Sequence, residues 1–443
     1  MRVRVDKRIK DIIARDKAVM LKTTKERYPF VADHGSGDHV YDVSGNKFID
    51  FSSFISVYNL GINANSEVRE AVKEQVDLLM HPAFTDFYAE RPVRFAEKLV
   101  KMFPKGFGKV FFSNSGTEAN EDAIKLSRIF TKRQYLLSFY NSFHGRTAGS
   151  LALTASKSIQ RKHYGPFPGV IHAPYPYPYR CPFGTEDPDE CGQASLDYLK
   201  KNILDKEASP DEIAAIFFEP VQGEGGYIIP PQNFIKGLRE MCDDYGMLLV
   251  ADEVQTGYMR TGSFLALEHF GVEADIYTMA KSTAGGIPFG VTVSRSSLGD
   301  VQEGEHANTF GGNLLAIAAA EASLDYINRN FRSLRSGINS RSSIVMRRLR
   351  EMQEKYGIIG EIRGIGLMIG IELVKDRKTR EPAEKERSAV LEECFYNGLI
   401  LLPAGRSTIR VIPPLTISIA SLEEGLDILE NALQKHSKRS KAR

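Results

Sequence analysis

Short apolar runs that each end on a polar or ionisable residue recur through the middle of this 443-residue chain, and they constrain its fold more than any other feature. Residues 110–112, 135–139, 214–218, 247–251 and 276–280 are such runs, separated by amphipathic stretches. That alternation predicts buried strands between helices, the pattern of a mostly parallel α/β sheet. Over 117–130 the spacing puts Ala119, Ala123, Leu126 and Phe130 on one helical face, and 234–245 reads as a second helix ending at Gly246. Another strand is predicted at 288–294, after a glycine loop. Ligands of open α/β sheets gather at the carboxyl ends of the strands. Asn114, Glu219, Asp252 and Lys281 all fall at such ends, so they are expected near one another in space.

The pattern changes after about residue 325. A long polar helix is predicted over 328–356, a strand over 362–374, a helix over 381–396, extended segments at 399–402 and 409–412, and a last helix over 422–435. The reading gives residues 1–65 and 326–435 to a smaller domain and 66–325 to a larger one. Residues 436–443 form a basic tail.

Composition narrows the function. With 58 basic and 56 acidic residues the formal net charge is +2, which gives no basic face for nucleic acid. No apolar run approaches the roughly 18–20 residues needed to cross a bilayer. The first twenty residues interleave charge with Ile and Val, unlike a signal peptide, and the chain reads as cytoplasmic. None of the four cysteines, Cys181, Cys191, Cys242 and Cys394, belongs to a Cys-x-x-Cys pair, so no metal site is expected. Cys181 and Cys191 flank a Pro- and Tyr-rich loop and could bridge, with free thiols the expected state.

Several segments carry candidate chemistry. Ser113-Asn-Ser-Gly-Thr-Glu-Ala-Asn120 joins a strand to a helix. Its free N–H groups, with the Ser115 and Thr117 hydroxyls, suit a phosphate, although an ordinary helix cap needs the same residues. Asp252 closes a buried run, where a carboxylate requires a partner. That partner is an Arg or Lys in most proteins, or a protonated ring nitrogen in an enzyme that uses one as an electron sink. Glu253 is expected to point the other way and to be structural, while Gln255 can reach a ring hydroxyl.

Lys281 ends an apolar strand ahead of a glycine loop. Desolvation there favours a nucleophilic amine, against the bland reading of a surface charge. Phe143-His-Gly-Arg-Thr147 offers an aromatic face, and Arg410 lies inside an apolar run where it needs a carboxylate, from Glu224 or a substrate.

In order and spacing, the blocks at 114–120, 143–147, 219–226, 252–262, Lys281, 309–313 and 410–415 resemble the class III aminotransferases of fold-type I, which depend on pyridoxal 5′-phosphate (PLP). The resemblance covers about residues 35–435. It implies a mostly parallel seven-stranded sheet between helices, with a smaller α+β domain. It also implies a Schiff base on Lys281, which moves a proton between the substrate Cα and the cofactor C4′. Asp252 would pair with the ring nitrogen and Gln255 with the ring oxygen. Ser115, Gly116 and Thr117 would bind phosphate, Phe143 would cover the ring, and His144 and Glu219 would complete the cofactor environment.

In this family Thr309 reaches the phosphate of the neighbouring subunit, which implies a homodimer. Arg410 would grip a substrate carboxylate, with Glu224 as its removable counter-charge. Arg146 matches the second carboxylate-binding arginine of the 4-aminobutyrate branch. The expected reaction is transfer of an amino group from an amino acid or 4-aminobutyrate-like ω-amino acid to a 2-oxo acid such as 2-oxoglutarate.

The sequence also departs from the family pattern. Gly61-Ile-Asn-Ala-Asn65 replaces the usual Gly-His-x-His-Pro, and Ser-Thr-Ala-Gly-Gly follows Lys281. Ile55 stands where ornithine aminotransferases carry tyrosine, which argues against ornithine. Phe84-Thr-Asp-Phe-Tyr88, Ser150-Leu-Ala-Leu-Thr-Ala-Ser-Lys157 and Pro174-Tyr-Pro-Tyr-Pro-Tyr-Arg180 resemble an archaeal branch that includes amino-acid racemases, the second reading. There Lys281 would serve one face of Cα, and Glu224 or a water the other. A PLP-binding regulator would need an added DNA-binding module, for which the residues before the resemblance are too few.

Overall fold

The computed structural model of the protein describes residues 2–24, 28–63, 65–165, 167 and 169–440. Position 64 of the 61–65 turn and the last three residues of the basic tail lie outside the described residues. The chain divides into two units, Glu67–Arg335 and a second made of Met1–Ser66 with Ser336–Arg443.

A seven-stranded sheet organises the larger unit. From edge to edge its strands are Phe107–Ser113, Gly290–Arg295, Ile276–Met279, Leu248–Asp252, Ile213–Phe218, Tyr135–Phe139 and Val170–Ala173. Gly290–Arg295 is antiparallel to both neighbours, and the other four pairings are parallel. Every residue of Ile213–Phe218 and Leu248–Asp252 is buried, so these strands read as unbroken apolar runs instead of alternating ones. Each buried apolar side chain of this size contributes about 1.5–3 kcal/mol. Successive strand residues face opposite ways. Leu136 therefore packs with Ala123 and Leu126 of the Gly116–Thr131 helix, and Phe139 packs on the other face against Phe234 of Gln232–Tyr245 at 5.5 Å. Sequence reasoning passed over Val170–Ala173, where His172 interrupts the apolar pattern.

The second unit is α+β. Ala32–Ser36, His39–Asp42, Lys47–Asp50 and Leu399–Ile400 form one four-stranded sheet. Ile359–Ile365, Met368–Leu373, Thr408–Val411 and Leu402–Ala404 form another, against the helices Glu384–Tyr396 and Ile419–Ser440. The single strand expected at 362–374 is a hairpin. Gly366 takes φ +58°, a left-handed conformation that reverses the chain and pairs Ile365 with Met368. The helix expected from 328 begins at Leu314 and runs 42 residues to Lys355, about 63 Å at 1.5 Å per residue. Its first turns are apolar and largely buried, which hid them from a reading built on polar character.

Cys181 and Cys191 correct another expectation. They form a disulfide with Cα atoms 6.0 Å apart, inside the range such a bond needs. The turn Pro178–Arg180 and the start of the Pro188–Tyr198 helix, capped by Asp187, bring the loop ends together. Cys242 and Cys394 are buried free thiols. No described helix is long and apolar enough to cross a membrane.

Candidate active site

Two neighbouring parallel strands deliver the central pair of groups. Asp252 is the last residue of Leu248–Asp252 and is in register with Thr278 of Ile276–Met279, the strand that leads into Lys281. Lys281 itself adopts φ +46° and opens the turn Lys281–Ala284, after which Gly285 and Gly286 also take positive φ. A positive φ is strained for a residue with a Cβ and persists only where the surroundings impose it.

Asp252 is buried, and an amide, an imidazole and a main-chain N–H surround its carboxylate. Its Oδ2 accepts from Asn120 Nδ2 at 2.8 Å and from His144 Nδ1 at 2.8 Å, and its Oδ1 accepts from the Val254 N–H at 3.0 Å. With its proton on Nδ1, the His144 ring is a donor to Oδ2. Hydrogen bonds of this kind offset the cost of burying a polar group. His144 is held in turn by Thr154, whose hydroxyl accepts from its main-chain N–H at 2.9 Å. Asn120 was legible only as the end of a motif, yet it is the amide that joins Asp252, the His144 carbonyl and Thr278.

Ser115 is the N-cap of the Gly116–Thr131 helix, with its side chain accepting from the Glu118 N–H at 3.3 Å. Glu118 reaches back to the Asn114 N–H at 2.6 Å. The helix start thus points free N–H groups outward, a ready anion site. Space there is tight, since a Cβ on Gly116 would meet Val254 Cγ1 at 2.8 Å. The Thr117 hydroxyl has protein partners of its own. It accepts from the N–H groups of Arg146 at 3.1 Å and Thr147 at 3.3 Å and bonds Ser150, so it organises the 145–150 loop. Gly145 at φ +143° makes that approach possible, because a Cβ would collide with both hydroxyls.

Phe143 is half-buried; its N–H donates to Glu219 Oε1 at 2.9 Å, and the Arg146 guanidinium lies 5.4 Å from its ring centre. Arg146 is exposed. Glu219 also accepts from the Gly223 N–H at 2.9 Å, and its carbonyl accepts from the Tyr175 hydroxyl at 2.9 Å. Burial pushes the Glu219 carboxyl up to about 7, with His144 opposing the rise and the Asp252 charge adding to it. Gln255 is buried beside Gly223, where any side chain would strike its amide. Glu253 is structural, accepting from the Leu267 N–H at 2.9 Å and from Thr256. Glu224 lies 3.5 Å from Lys157 Nζ.

Thr309 is exposed on a segment pinned by Asn308, whose amide donates to the Phe112 carbonyl at 2.8 Å. In the smaller unit Ile55 belongs to a run of positive-φ residues, Ser53 to Ser56, and its side chain is partly exposed. Arg410 is buried on Thr408–Val411, with Nε donating to the Pro403 carbonyl at 2.9 Å.

The family profile described as Aminotransferase class-III matches residues 20–433. The chain belongs to the class III aminotransferases. Members of this family are PLP-dependent enzymes, and the mostly parallel seven-stranded sheet with its smaller α+β partner is their fold-type I architecture. The chain is 39% identical over 428 residues to a leucine/methionine racemase of Thermococcus litoralis, covering 96% of each chain. It is also 39% identical over 416 residues to a probable 4-aminobutyrate aminotransferase of Bacillus subtilis, covering 91% of this chain and 93% of that one. Among solved structures, taurine:2-oxoglutarate aminotransferase of Bifidobacterium kashiwanohense, in complex with PLP and glutamate, superposes with a TM-score of 0.89 at 30% identity, covering 97% of this chain and 98% of that one.

Proposed function

We propose that the protein is a PLP-dependent aminotransferase that moves an amino group from an amino acid or 4-aminobutyrate-like ω-amino acid to a 2-oxo acid such as 2-oxoglutarate. The observation that carries this reading is the buried Asp252 carboxylate, fixed by His144 and Asn120 on the strand beside the one that leads into Lys281. The donor set fits the cofactor. Oδ2 of Asp252 already takes two side-chain donors, which leaves Oδ1 capacity for a ring N–H. The free N–H groups at Ser115, Gly116 and Thr117 suit a phosphate, with Thr117 contributing through its main chain because its hydroxyl is engaged.

When bound, PLP supplies an electron sink for the bonds at the substrate's amino carbon. In this reading the Lys281 amine would hold the cofactor and move the proton at the substrate's amino carbon. Asp252 would pair with the ring nitrogen, with His144 keeping Asp252 oriented. Gln255 would take the ring oxygen and Phe143 would cover a ring face, with Glu219 fixing Phe143 through its main-chain N–H. Arg410 and Arg146 bind substrate carboxylates, Ile55 lines an apolar part of the substrate site, and Glu224 balances Arg410 when no carboxylate is bound. Thr309 serves the phosphate of a second copy, so the assembly is a homodimer.

A second reading, amino-acid racemisation, is favoured by the 39% identity to the leucine/methionine racemase over 96% of both chains. Racemisation needs an acid–base group on each face of Cα. In that reading Lys281 would serve one face, and Glu224, which lies 3.5 Å from Lys157 Nζ, or a water would serve the other.

One sample tests both readings. Protein loaded with PLP and treated with borohydride should carry the cofactor covalently on Lys281, and Lys281→Ala should not. The loaded protein, given candidate amines and 2-oxoglutarate, should form glutamate. Absence of glutamate with every donor, together with D-enantiomer and deuterium at Cα from a single L-amino acid without oxo acid, would replace transamination by racemisation.

A further inference from the structure

The Asn120 amide lies at the junction of three elements. It is buried on the second turn of the Gly116–Thr131 helix. Its Nδ2 donates to Asp252 Oδ2 at 2.8 Å and to the His144 carbonyl at 2.7 Å, and its Oδ1 accepts from the Thr278 hydroxyl at 2.9 Å. The two donors and one acceptor lone pair are therefore all used. A reversed amide would set its oxygen against a carboxylate and a carbonyl, so one orientation is imposed. Thr278 is the register partner of Asp252 and stands three positions before Lys281.

We infer that Asn120 is a positioning residue for the ring-nitrogen contact, holding the Asp252 carboxylate aimed while tying it to the strand that leads into Lys281. Of the two side-chain donors on Oδ2, His144 reaches it from the 143–147 loop, whereas Asn120 reaches it from the helix that also presents the anion site. Asn120 thereby ties the anion site, the Asp252 carboxylate and the Lys281 strand into one network. Without the amide, Oδ2 loses a donor and the His144 carbonyl loses its side-chain partner. The carboxylate then keeps only His144 on Oδ2 and the Val254 N–H on Oδ1, and it is aimed less firmly. This inference rests on the reading of Asp252 as the partner of the ring nitrogen.

The test compares the dissociation constants of PLP and its 1-deaza analogue, whose ring carries C–H in place of nitrogen, on cofactor-free protein. Both ligands carry the same phosphate and aldehyde, and the effect of the ring atom on the aldehyde is the same in every variant, so the change in their ratio from wild type to variant isolates the Asp252 contact. Wild type should prefer PLP. Asn120→Ala should shrink that preference by about tenfold, the scale of one hydrogen bond to a charged group. Thr278→Val, which keeps the shape and removes the hydroxyl that orients the amide, should move the ratio the same way by less. It carries the test if Asn120→Ala does not fold. A purely structural Asn120 would lower the melting temperature and leave the ratio intact, and that result overturns the inference. A wild-type protein that binds both ligands equally overturns the reading of Asp252 and the inference with it.

Discussion

Asp252 and Glu253 are adjacent, both buried and both carboxyls, yet their partners give them different characters. Side-chain and main-chain donors surround Asp252. Around Glu253 burial is the largest influence and pushes its pKa up to about 7, with the bonds from Thr256 and from the Leu267 and Ala266 N–H groups opposing it. A carboxyl with a higher pKa folded than unfolded holds its proton more tightly in the folded chain. Its stabilising contribution is complete below the unfolded value near 4.5 and is lost as pH rises through about 7. Glu253→Gln removes that titration and keeps an acceptor for the Leu267 N–H. Melting temperatures of cofactor-free protein should therefore fall less between pH 5 and pH 8 (about the span of the shift) in the variant than in wild type. Parallel curves would show Glu253 ionised throughout. Glu219, also near 7, is present in both proteins and cancels. The position of Asp252 at a strand end was legible in the sequence. Its partners were not, since His144 and Asn120 lie 108 and 132 positions away.

Elements matter here chiefly through how tightly loops are pinned to the sheet. The 143–147 loop hangs on Thr117 and Thr154, and Gly145 gives it the room to approach. Gly145→Ala would force a Cβ into the two hydroxyls at a φ of +143° that disfavours any side chain. We expect a loss of about 1–3 kcal/mol in stability and weaker PLP binding. Urea unfolding and cofactor titration read the two effects, and a variant unchanged in both would show that the loop relaxes freely. The strands and the Gly116–Thr131 helix were legible because burial imposes a period on the sequence. The 359–373 hairpin was not, because the reversal at Gly366 is carried by one of four glycines in a stretch that reads as extended throughout.

At the scale of the whole molecule, exposed apolar residues gather on the larger unit. Leu78, Leu79, Met80, Phe87, Tyr88 and Phe310 are all exposed. The His81 ring lies 4.8 Å from that of Phe310, the Leu314 N–H donates to the Met80 carbonyl at 3.1 Å, and Thr85 donates to the Asn308 carbonyl at 2.6 Å. These contacts join the patch to the segment that carries Thr309. A surface of this kind suits the homodimer proposed above. Light scattering should give roughly twice the 49.5 kDa of one chain, and Phe87→Asp should shift the population toward the single-chain mass. A wild-type mass of one chain at micromolar concentration would remove the dimer and the cross-subunit role of Thr309.

The amino-acid order alone determined the central strands of the larger sheet, the helix after Ser115 and which reactive groups stand at strand ends, because burial and periodicity are local properties that each segment carries with it. Tertiary structure decided which groups meet: His144 and Asn120 on Asp252, Lys157 on Glu224, Arg146 over Phe143, and Cys181 with Cys191. Such meetings depend on chain reversals and on register between strands distant in sequence, where a single left-handed residue or turn redirects everything that follows it.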